Sequence, residues 1–475
     1  MSKENISVHS SLIGGKARVP GDPTGEWWVR SPAQAEEEYA QCLYAYSQID
    51  EATEAAIQGA RSWSERSRAE RIQILNRAHE RIKKAQPTWF QIASRELGRS
   101  SNDLKLEFRQ WERWFDAWSA QAESSLQTRQ ESRGITALVG SYVWPLFHTL
   151  PFVFLNLLAG NPIVIKPSEK STLSVLALGE LLTSDPALAS LVHILIGEKE
   201  TGRRLACHDQ VQTVIFVGSF EVGMRVKQDT LSQPSKEVLL YLGAKNPMVV
   251  CEDAPDAKVL DALIQDAFLS SGQHCRSASI AFIHQSRYSG FCDALHERAK
   301  QFKIGAPSSE PFAGPLIDNA MVDRYLKFSG ISEREGAQLL MRGKPLVLPE
   351  KGNYVTPTLA AFEAMTPEQV KKSISLQTEI LSPHLSLIRY SSYDELIELI
   401  RPLQHGLAAS IWGENADRTK AIARDLAFGQ VSVNQSLLEW DPCESFQARK
   451  RSGNHAYYGL KLIEQLVSLK SVGSV

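Results

Sequence analysis

Between residues 134 and 217, short continuous apolar runs alternate with helical stretches, and this alternation most narrows what the chain can fold into. Gly134-Ile135-Thr136-Ala137-Leu138-Val139-Gly140 reads as a strand bounded by glycines, followed by strands at residues 163–166, 191–196 and 211–217. Helices are expected between them at residues 172–182 and 201–207. Strands without polar alternation are buried on both faces, and when helices join them they form a parallel sheet. A second set of elements is expected from residue 236 to about residue 433. At 475 residues the chain has room for two or three packed units with sizeable cores.

The rest of the chain is organised around residues 239–275. Leu239-Leu240-Tyr241-Leu242 and Met248-Val249-Val250-Cys251 read as strands on either side of the tight turn Gly243-Ala244-Lys245-Asn246-Pro247. Val259, Leu260, Leu263, Ile264, Ala267 and Phe268 then fall at helical spacing, and the stretch closes on Ser270-Ser271-Gly272-Gln273-His274-Cys275-Arg276. The first fifty residues are polar and turn-rich, and residues 33–84, rich in Ala, Glu and Arg, read as helical. A helix is expected over residues 102–121, where Trp111, Trp114, Phe115 and Trp118 share a face. Such a stripe faces a core more often than it walls a substrate funnel. Residues 457–475 read as a short helix and an apolar strand, Leu466-Val467-Ser468-Leu469, with another subunit as its expected partner.

The formal charge of −2 offers no field that would attract nucleic acid or an anionic membrane. Residues 143–165 carry no Asp, Glu, Lys or Arg and are long enough to span a bilayer. They also contain Pro145, Pro151, Pro162, Asn156 and Asn161, which would break a helix or leave amides unpaired in lipid. A buried helix feeding a buried strand is therefore expected, and no membrane partner. The six cysteines show neither metal-ligand nor disulfide-framework spacing, so no metal is expected. With no signal-peptide pattern, they indicate a reducing, cytoplasmic setting.

Gly218-Ser219-Phe220-Glu221-Val222-Gly223 follows a strand and opens a helix, where free N–H groups would receive a phosphate. Glycines at such a turn more often serve tight packing. No Lys-Ser/Thr pair follows, so the turn is not a Walker loop. Lys166-Pro167-Ser168-Glu169 is either a helix start capped by Ser168 or a lysine and carboxylate presented to ribose hydroxyls. The order of the motifs carries more than any one of them. After Gly160-Asn161-Pro162-Ile163-Val164-Ile165-Lys166-Pro167-Ser168-Glu169 and Phe216-Val217-Gly218-Ser219 come Leu242-Gly243-Ala244-Lys245-Asn246-Pro247 and Gly272-Gln273-His274-Cys275. Thr378-Glu379-Ile380-Leu381-Ser382-Pro383, His405-Gly406-Leu407-Ala408-Ala409, Val431-Ser432-Val433-Asn434 and Lys450-Arg451-Ser452-Gly453-Asn454 follow. From about residue 35 to the end, this succession resembles the NAD(P)-dependent aldehyde dehydrogenase superfamily. Ala313-Gly314-Pro315-Leu316-Ile317 and Ser452-Gly453-Asn454-His455 resemble its succinylglutamate-semialdehyde type more closely.

The resemblance implies an α/β fold: a parallel-sheet NAD-binding domain, an α/β catalytic domain and a small β oligomerisation arm. It assigns residues 1–120 and 141–238 to the first, with 434–454 packing back on it. Residues 239–433 fall to the second, and 121–140 with 455–475 to the arm. Homodimers are implied, with tetramers in doubt because residues 121–134 are short for a bridging hairpin. Lys166, Ser168 and Glu169 would hold the adenosine ribose, Gly218, Ser219 and Gly223 the pyrophosphate, and Glu379 the nicotinamide ribose. Glu169 would repel a 2′-phosphate, which favours NAD over NADP. Cys275 would be the nucleophile whose thiolate attacks an aldehyde, passing through a thiohemiacetal to a thioester as hydride leaves to NAD.

Two departures bear on catalysis. The family's general-base glutamate precedes Leu-Gly-Gly, and Tyr241 stands there; its oxyanion asparagine lies in Pro-Trp-Asn-Phe-Pro, and Val143 stands there. Losing an oxyanion donor costs about 10²–10³-fold in turnover, and losing a positioned base about 10²–10⁴-fold. Tyrosine, with an ordinary pKa near ~10, is a poor base at neutral pH. His274 adjoins Cys275, but neighbouring side chains generally point apart. Three readings follow: a slow NAD-dependent aldehyde dehydrogenase, a relative passing the acyl group to a thiol such as coenzyme A, and a pseudoenzyme that keeps NAD binding and oligomerisation.

Overall fold

The computed structural model describes residues 6–125, 130–454 and 458–470. Two seven-stranded sheets dominate them. The first runs in the order Glu237–Leu242, Val211–Gly218, Ile135–Val139, Ile163–Lys166, Val192–Ile194, Ser11–Ile13 and Lys16–Arg18. Its first five strands are parallel, and the last two join antiparallel. Chain order reverses between Ile135–Val139 and Val211–Gly218, which opens a crevice at the strands' carboxyl ends, where ligands of open α/β sheets bind.

The second sheet runs Gln338–Met341, Thr358–Phe362, His384–Tyr390, Ala278–His284, Asn246–Val250, Ala408–Trp412 and Gln430–Val433, parallel except for its first strand. The expected parallel α/β architecture is what forms. Leu239, Leu240, Tyr241 and Leu242 pair with Ile215–Gly218 and belong to the first sheet. Only Gly243, Ala244 and Lys245 separate that edge strand from Asn246–Val250, an inner strand of the second sheet. Ile135–Val139, expected in the arm, also lies within the first sheet.

Two further expectations fail near the termini. Residues 34–44, read as helical, form the strand Gln34–Tyr44 between Ser7–His9 and Gly25–Ser31. Its burial alternates only at Ala40, Cys42 and Tyr44, and the Glu-rich half before them hides the period of two. The C-terminal strand Val467–Leu469 finds its partner in the same chain, pairing antiparallel with Gln130–Ser132.

The uncharged stretch becomes the helix Leu150–Ala159, buried at every position, and the buried strand Ile163–Lys166. The helix starts with a proline in its first turn and ends at Gly160, whose φ of 94° suits glycine. Its polar residues are satisfied inside the protein: Asn156 accepts from Thr136 Oγ1 at 2.6 Å, and Asn161 donates to the Leu466 carbonyl at 2.7 Å. No helix among the described residues is long and apolar enough to cross a membrane. The helix Ser101–Gln121 buries Trp111, Trp114, Phe115 and Trp118, a core stripe as expected, and none of them lines the cavity described below.

Candidate active site

A cavity of about 620 Å³ occupies the crevice at the point where strand order reverses. Of the site residues read from the sequence, Val143, Lys166, Ser168, Glu169, Gly218, Ser219, Tyr241, Cys275 and Glu379 all line it. Gly223 does not. It lies behind the crevice on the helix Phe220–Asp229, where a Cβ would come 2.5 Å from the Leu242 side chain. Its smallness lets helix and sheet approach closely.

At one end, the Lys166 ammonium meets the Glu169 carboxylate at 2.5 Å. The lysine is buried while the carboxylate stays partly exposed to the cavity. Ser168 Oγ accepts from the Lys170 N–H at 3.3 Å, so it caps the turn between strand and helix. Ser219 Oγ accepts from Val222 N at 3.4 Å and caps Phe220–Asp229, whose N-terminus faces the crevice.

At the other end stands Glu379, which accepts from the Ala244 N–H at 2.8 Å. A Cβ on Gly243 would come 2.0 Å from Glu379 Oε2, so only glycine leaves room for that carboxylate. Burial pushes the Glu379 carboxyl up to about 7, opposed by the Ala244 hydrogen bond and by Arg324. These features fit a dinucleotide: a lysine and carboxylate for one ribose, an open helix start for phosphates, and a carboxylate in a glycine gap for the second ribose.

Cys275 sits between the two sheets. The helix Asp256–Phe268 ends in a kinked turn in which Ser270 and Ser271 have φ of 55° and 54°. Gln273 then accepts from Ile317 N at 2.9 Å and donates to the Pro315 carbonyl at 3.1 Å. Asn246, the first residue of its strand, donates to the Cys275 carbonyl at 2.8 Å. The backbone of Cys275 is thus held from both sides. Burial pushes its thiol up to about 12, with the Arg276 guanidinium opposing. His274 points elsewhere: its ring meets Trp144 at 4.1 Å between centroids, and burial holds its pKa well below the ordinary value.

Val143 and Tyr241 both stand in the wall of this cavity. Val143 is buried, and its carbonyl lies 2.7 Å from Nδ1 of His148, an imidazole that burial lowers to about 4. The Tyr241 ring lies edge-on between Phe152 at 5.1 Å and Tyr458 at 4.8 Å, and burial raises its phenol well above the ordinary pKa.

The aldehyde dehydrogenase family model matches residues 21–472. The chain belongs to the aldehyde dehydrogenase family. Solved structures agree on the fold. A putative aldehyde dehydrogenase from Burkholderia cenocepacia superposes with a TM-score of 0.91 at 24% identity, covering 98% of this chain and 96% of that one. A mutant of aldehyde dehydrogenase C from Pseudomonas syringae, complexed with NAD+ and octanal, gives 0.86 at 24% identity over 99% and 97% of the two chains. A betaine aldehyde dehydrogenase mutant from Staphylococcus aureus gives 0.90 at 19% identity over 97% and 94%.

The aldehyde dehydrogenase motifs did not point to several residues that the fold brings to the site. Glu107, within the tryptophan-rich helix, accepts from the N–H groups of Leu146 and Phe147 at 2.8 and 3.1 Å and pairs with Arg99 at 3.0 Å. It thereby holds the loop that carries Val143 and Trp144, the latter at a φ of 45°. Lys199, Arg203 and Arg225 line the cavity from two helices without any motif of their own. Tyr458 reaches the cavity from the C-terminal segment. An aromatic residue near the end of a chain gives no signal from which that contact can be read.

Proposed function

We propose that this chain oxidises an aldehyde with NAD through Cys275, slowly, because Tyr241 and Val143 replace the base and the oxyanion donor. The observation that carries this reading is the single cavity that holds Cys275, Glu379, Ser219 and the Lys166–Glu169 pair together. NAD bound there would supply the hydride acceptor. Lys166 and Glu169 would hold the adenosine ribose, with Glu169 disfavouring a 2′-phosphate and hence NADP. The helix start at Ser219 would take the phosphates, and Glu379 the nicotinamide ribose. Cys275 must lose its proton before it forms the thiohemiacetal, and its raised pKa makes that the first obstacle. Once the thioester exists, its hydrolysis needs an activated water, and a buried phenol does not activate one.

Part of this reading concerns the rest of the chain. The first sheet with its helices would be the NAD-binding domain and the second the catalytic one, joined at Gly243–Lys245. The small sheet of Gln130–Ser132 and Val467–Leu469 would belong to an arm that joins subunits into dimers. The segment 313–317 supports the nucleophile's loop through Gln273, and Ser452 donates to the Gly243 carbonyl at 2.9 Å. These are the segments that resemble the succinylglutamate-semialdehyde type, so a dicarboxylic semialdehyde is the first substrate to try. His455 of that motif lies outside the described residues.

The deciding experiment is a single-turnover NADH burst with a panel of aldehydes, repeated with Cys275→Ala and with added coenzyme A. A burst equal to the enzyme concentration, absent in Cys275→Ala, supports the oxidation. A second reading is favoured by the loss of both polar groups at once: a pseudoenzyme that binds NAD without turning over. NAD binding with no burst on any aldehyde would establish it. Turnover that appears only with coenzyme A would instead make a thiol the acyl acceptor.

A further inference from the structure

One end of the cleft is a slot between two helices. Lys199–Cys207 and Phe220–Asp229 each follow a parallel strand of the first sheet and run the same way. They end side by side, with Cys207 Sγ 3.7 Å from the Asp229 carbonyl. One turn back from those ends, Arg203 and Arg225 stand at about one level. Gly202 from the first helix and Val222 and Val226 from the second give the slot an apolar lining. Gly202 lies so close to the sheet that a Cβ there would come 3.5 Å from Lys166 Cδ. Lys199, Arg203 and Arg225 rim the slot, and the carboxylate that these helices bring to the cavity is Asp229. Arg203 is held by Glu200 at 2.8 Å. Lys199 and Arg225 are exposed, and their side chains form no ion pair or hydrogen bond among the described residues.

These cations lie away from the place of the pyrophosphate, since Arg225 is about 9 Å along its helix from Ser219. They lie near the place of the adenosine ribose. Tyr44 OH donates to Glu198 at 3.2 Å, and Glu169 acts on the same phenol, so Glu169 stands beside the residue that precedes Lys199. We propose that Lys199, Arg203 and Arg225 form a subsite for a phosphate on the 3′-hydroxyl of an adenosine nucleotide, so that the cleft takes coenzyme A as well as NAD. This rests on the reading of the cleft as a dinucleotide site. Glu169 decides the position of the phosphate: its carboxylate accepts from a free 2′-hydroxyl and repels a phosphate there. Coenzyme A carries its phosphate at the 3′ position and leaves the 2′-hydroxyl free. Arginine offers such a phosphate a planar pair of donors, and lysine a point charge. NAD has no phosphate on its adenosine hydroxyls and makes no use of the rim.

The test is calorimetric titration of the full chain at low salt with NAD, 5′-AMP, adenosine 3′,5′-bisphosphate and adenosine 2′,5′-bisphosphate. The 3′,5′-bisphosphate should bind about tenfold more tightly than 5′-AMP, a gain that two or three exposed ion pairs can supply. The 2′,5′-bisphosphate should show no such gain. With Lys199→Gln and Arg225→Gln combined, the affinities for 5′-AMP and the 3′,5′-bisphosphate should converge, whereas Lys199→Arg with Arg225→Lys should keep them apart. The ratio is read within one protein, so a general loss of nucleotide affinity does not imitate the effect. Coenzyme A should displace NAD, and 3′-dephospho-coenzyme A should do so about tenfold less well. Equal affinity for 5′-AMP and the 3′,5′-bisphosphate in a chain that binds NAD overturns the subsite alone. So does a gain that survives the loss of both cations, or coenzyme A that leaves NAD in place. An equal or larger gain with the 2′,5′-bisphosphate overturns the 3′ assignment and points to NADP. Failure of NAD and 5′-AMP to bind refutes the cofactor reading. The subsite then stands if the 3′,5′-bisphosphate still binds and falls if it does not.

Discussion

The Tyr241 ring meets the Tyr458 ring edge-on, with centroids 4.8 Å apart and planes at 85°. With Phe152 on its other side, the Tyr241 ring packs among aromatic rings at the position that the resemblance assigns to a base. Tyr241→Phe should therefore leave the amplitude of a single-turnover NADH burst unchanged and lower steady-state turnover no more than about threefold, far less than removal of a working base costs. A drop of about a hundredfold would give the hydroxyl a role in the chemistry. Tyr241→Glu should raise deacylation by about 10²-fold or more, at some cost in melting temperature for a carboxyl placed among rings.

Val143 differs from Tyr241 in what its loss has removed. Its backbone is already placed, with its N–H donating to Ser141 Oγ at 3.2 Å and Glu107 holding the loop just beyond. Its side chain faces the same cavity as Cys275. Val143→Asn should accelerate the acylation step, read as the rate of the NADH burst, by about 10²-fold, the reverse of an oxyanion-donor deletion. Combined with Tyr241→Glu, the gain should fall short of the product, because groups acting on one intermediate are not additive. An unchanged burst rate would mean that the aldehyde oxygen does not lie beside residue 143.

How far the site was legible follows from the reach of each motif. The strand-end turns at residues 166–169, 218–223 and 243–247 are local, and a turn of a few residues carries its own signature in Gly, Pro and Ser. Cys275 and Glu379 were legible only through the family resemblance of the motifs that hold them, Gly272-Gln273-His274-Cys275 and Thr378-Glu379-Ile380-Leu381. Tyr458 was not, since it enters the site by stacking on Phe446, which leaves no local trace. The strand Gln34–Tyr44 was misread because three glutamates in its first half mimic a helix surface. That Leu239–Leu242 joins the first sheet was not legible, because an apolar run announces a strand without naming its sheet.

Gly243 links cofactor anchoring to backbone space. Gly243→Ala puts a methyl 2.0 Å from Glu379 Oε2 and forces the carboxylate off the Ala244 N–H. A lost hydrogen bond of this kind costs about 1–2 kcal/mol, so NAD should bind about tenfold more weakly in calorimetric titration. Equal affinity would separate Glu379 from the cofactor.

The raised pKa of Cys275 makes its reactivity a function of pH. With the thiol near about 12, only about one molecule in 10⁴ carries a thiolate at pH 8. Alkylation of the NAD-free protein at Cys275 should climb about tenfold per pH unit from pH 7 to 10 without a plateau. A plateau below pH 9 would show that a group near Arg276 stabilises the thiolate more than burial opposes it.

Lys245 offers a prediction about stability. It is 1% exposed, and its ammonium has no hydrogen-bond partner among the described residues. A small cavity of about 20 Å³ beside it is also lined by Ser277, Ser382 and His384, which contribute further unpartnered polar atoms. Burial lowers Lys245 to about 7, against the pull of Glu379 and Glu335 and with help from Arg324. Between that value and the ordinary pKa of about 10.4, the unfolded chain binds the proton that the folded chain releases, so this group makes stability rise with pH, by about 1.4 kcal/mol per unit at most. Glu379, raised to about 7, acts in the opposite sense but only below that pH. Lys245→Met removes the charge and retains the apolar stem. The variant should exceed the wild type in stability at pH 7 by a few kcal/mol, at most ~5 from the width of that window. The gap should close as pH approaches 10, read from urea midpoints at pH 7 and 9.5. A constant gap would mean that Lys245 stays charged inside the fold, with Glu379 as its counter-ion.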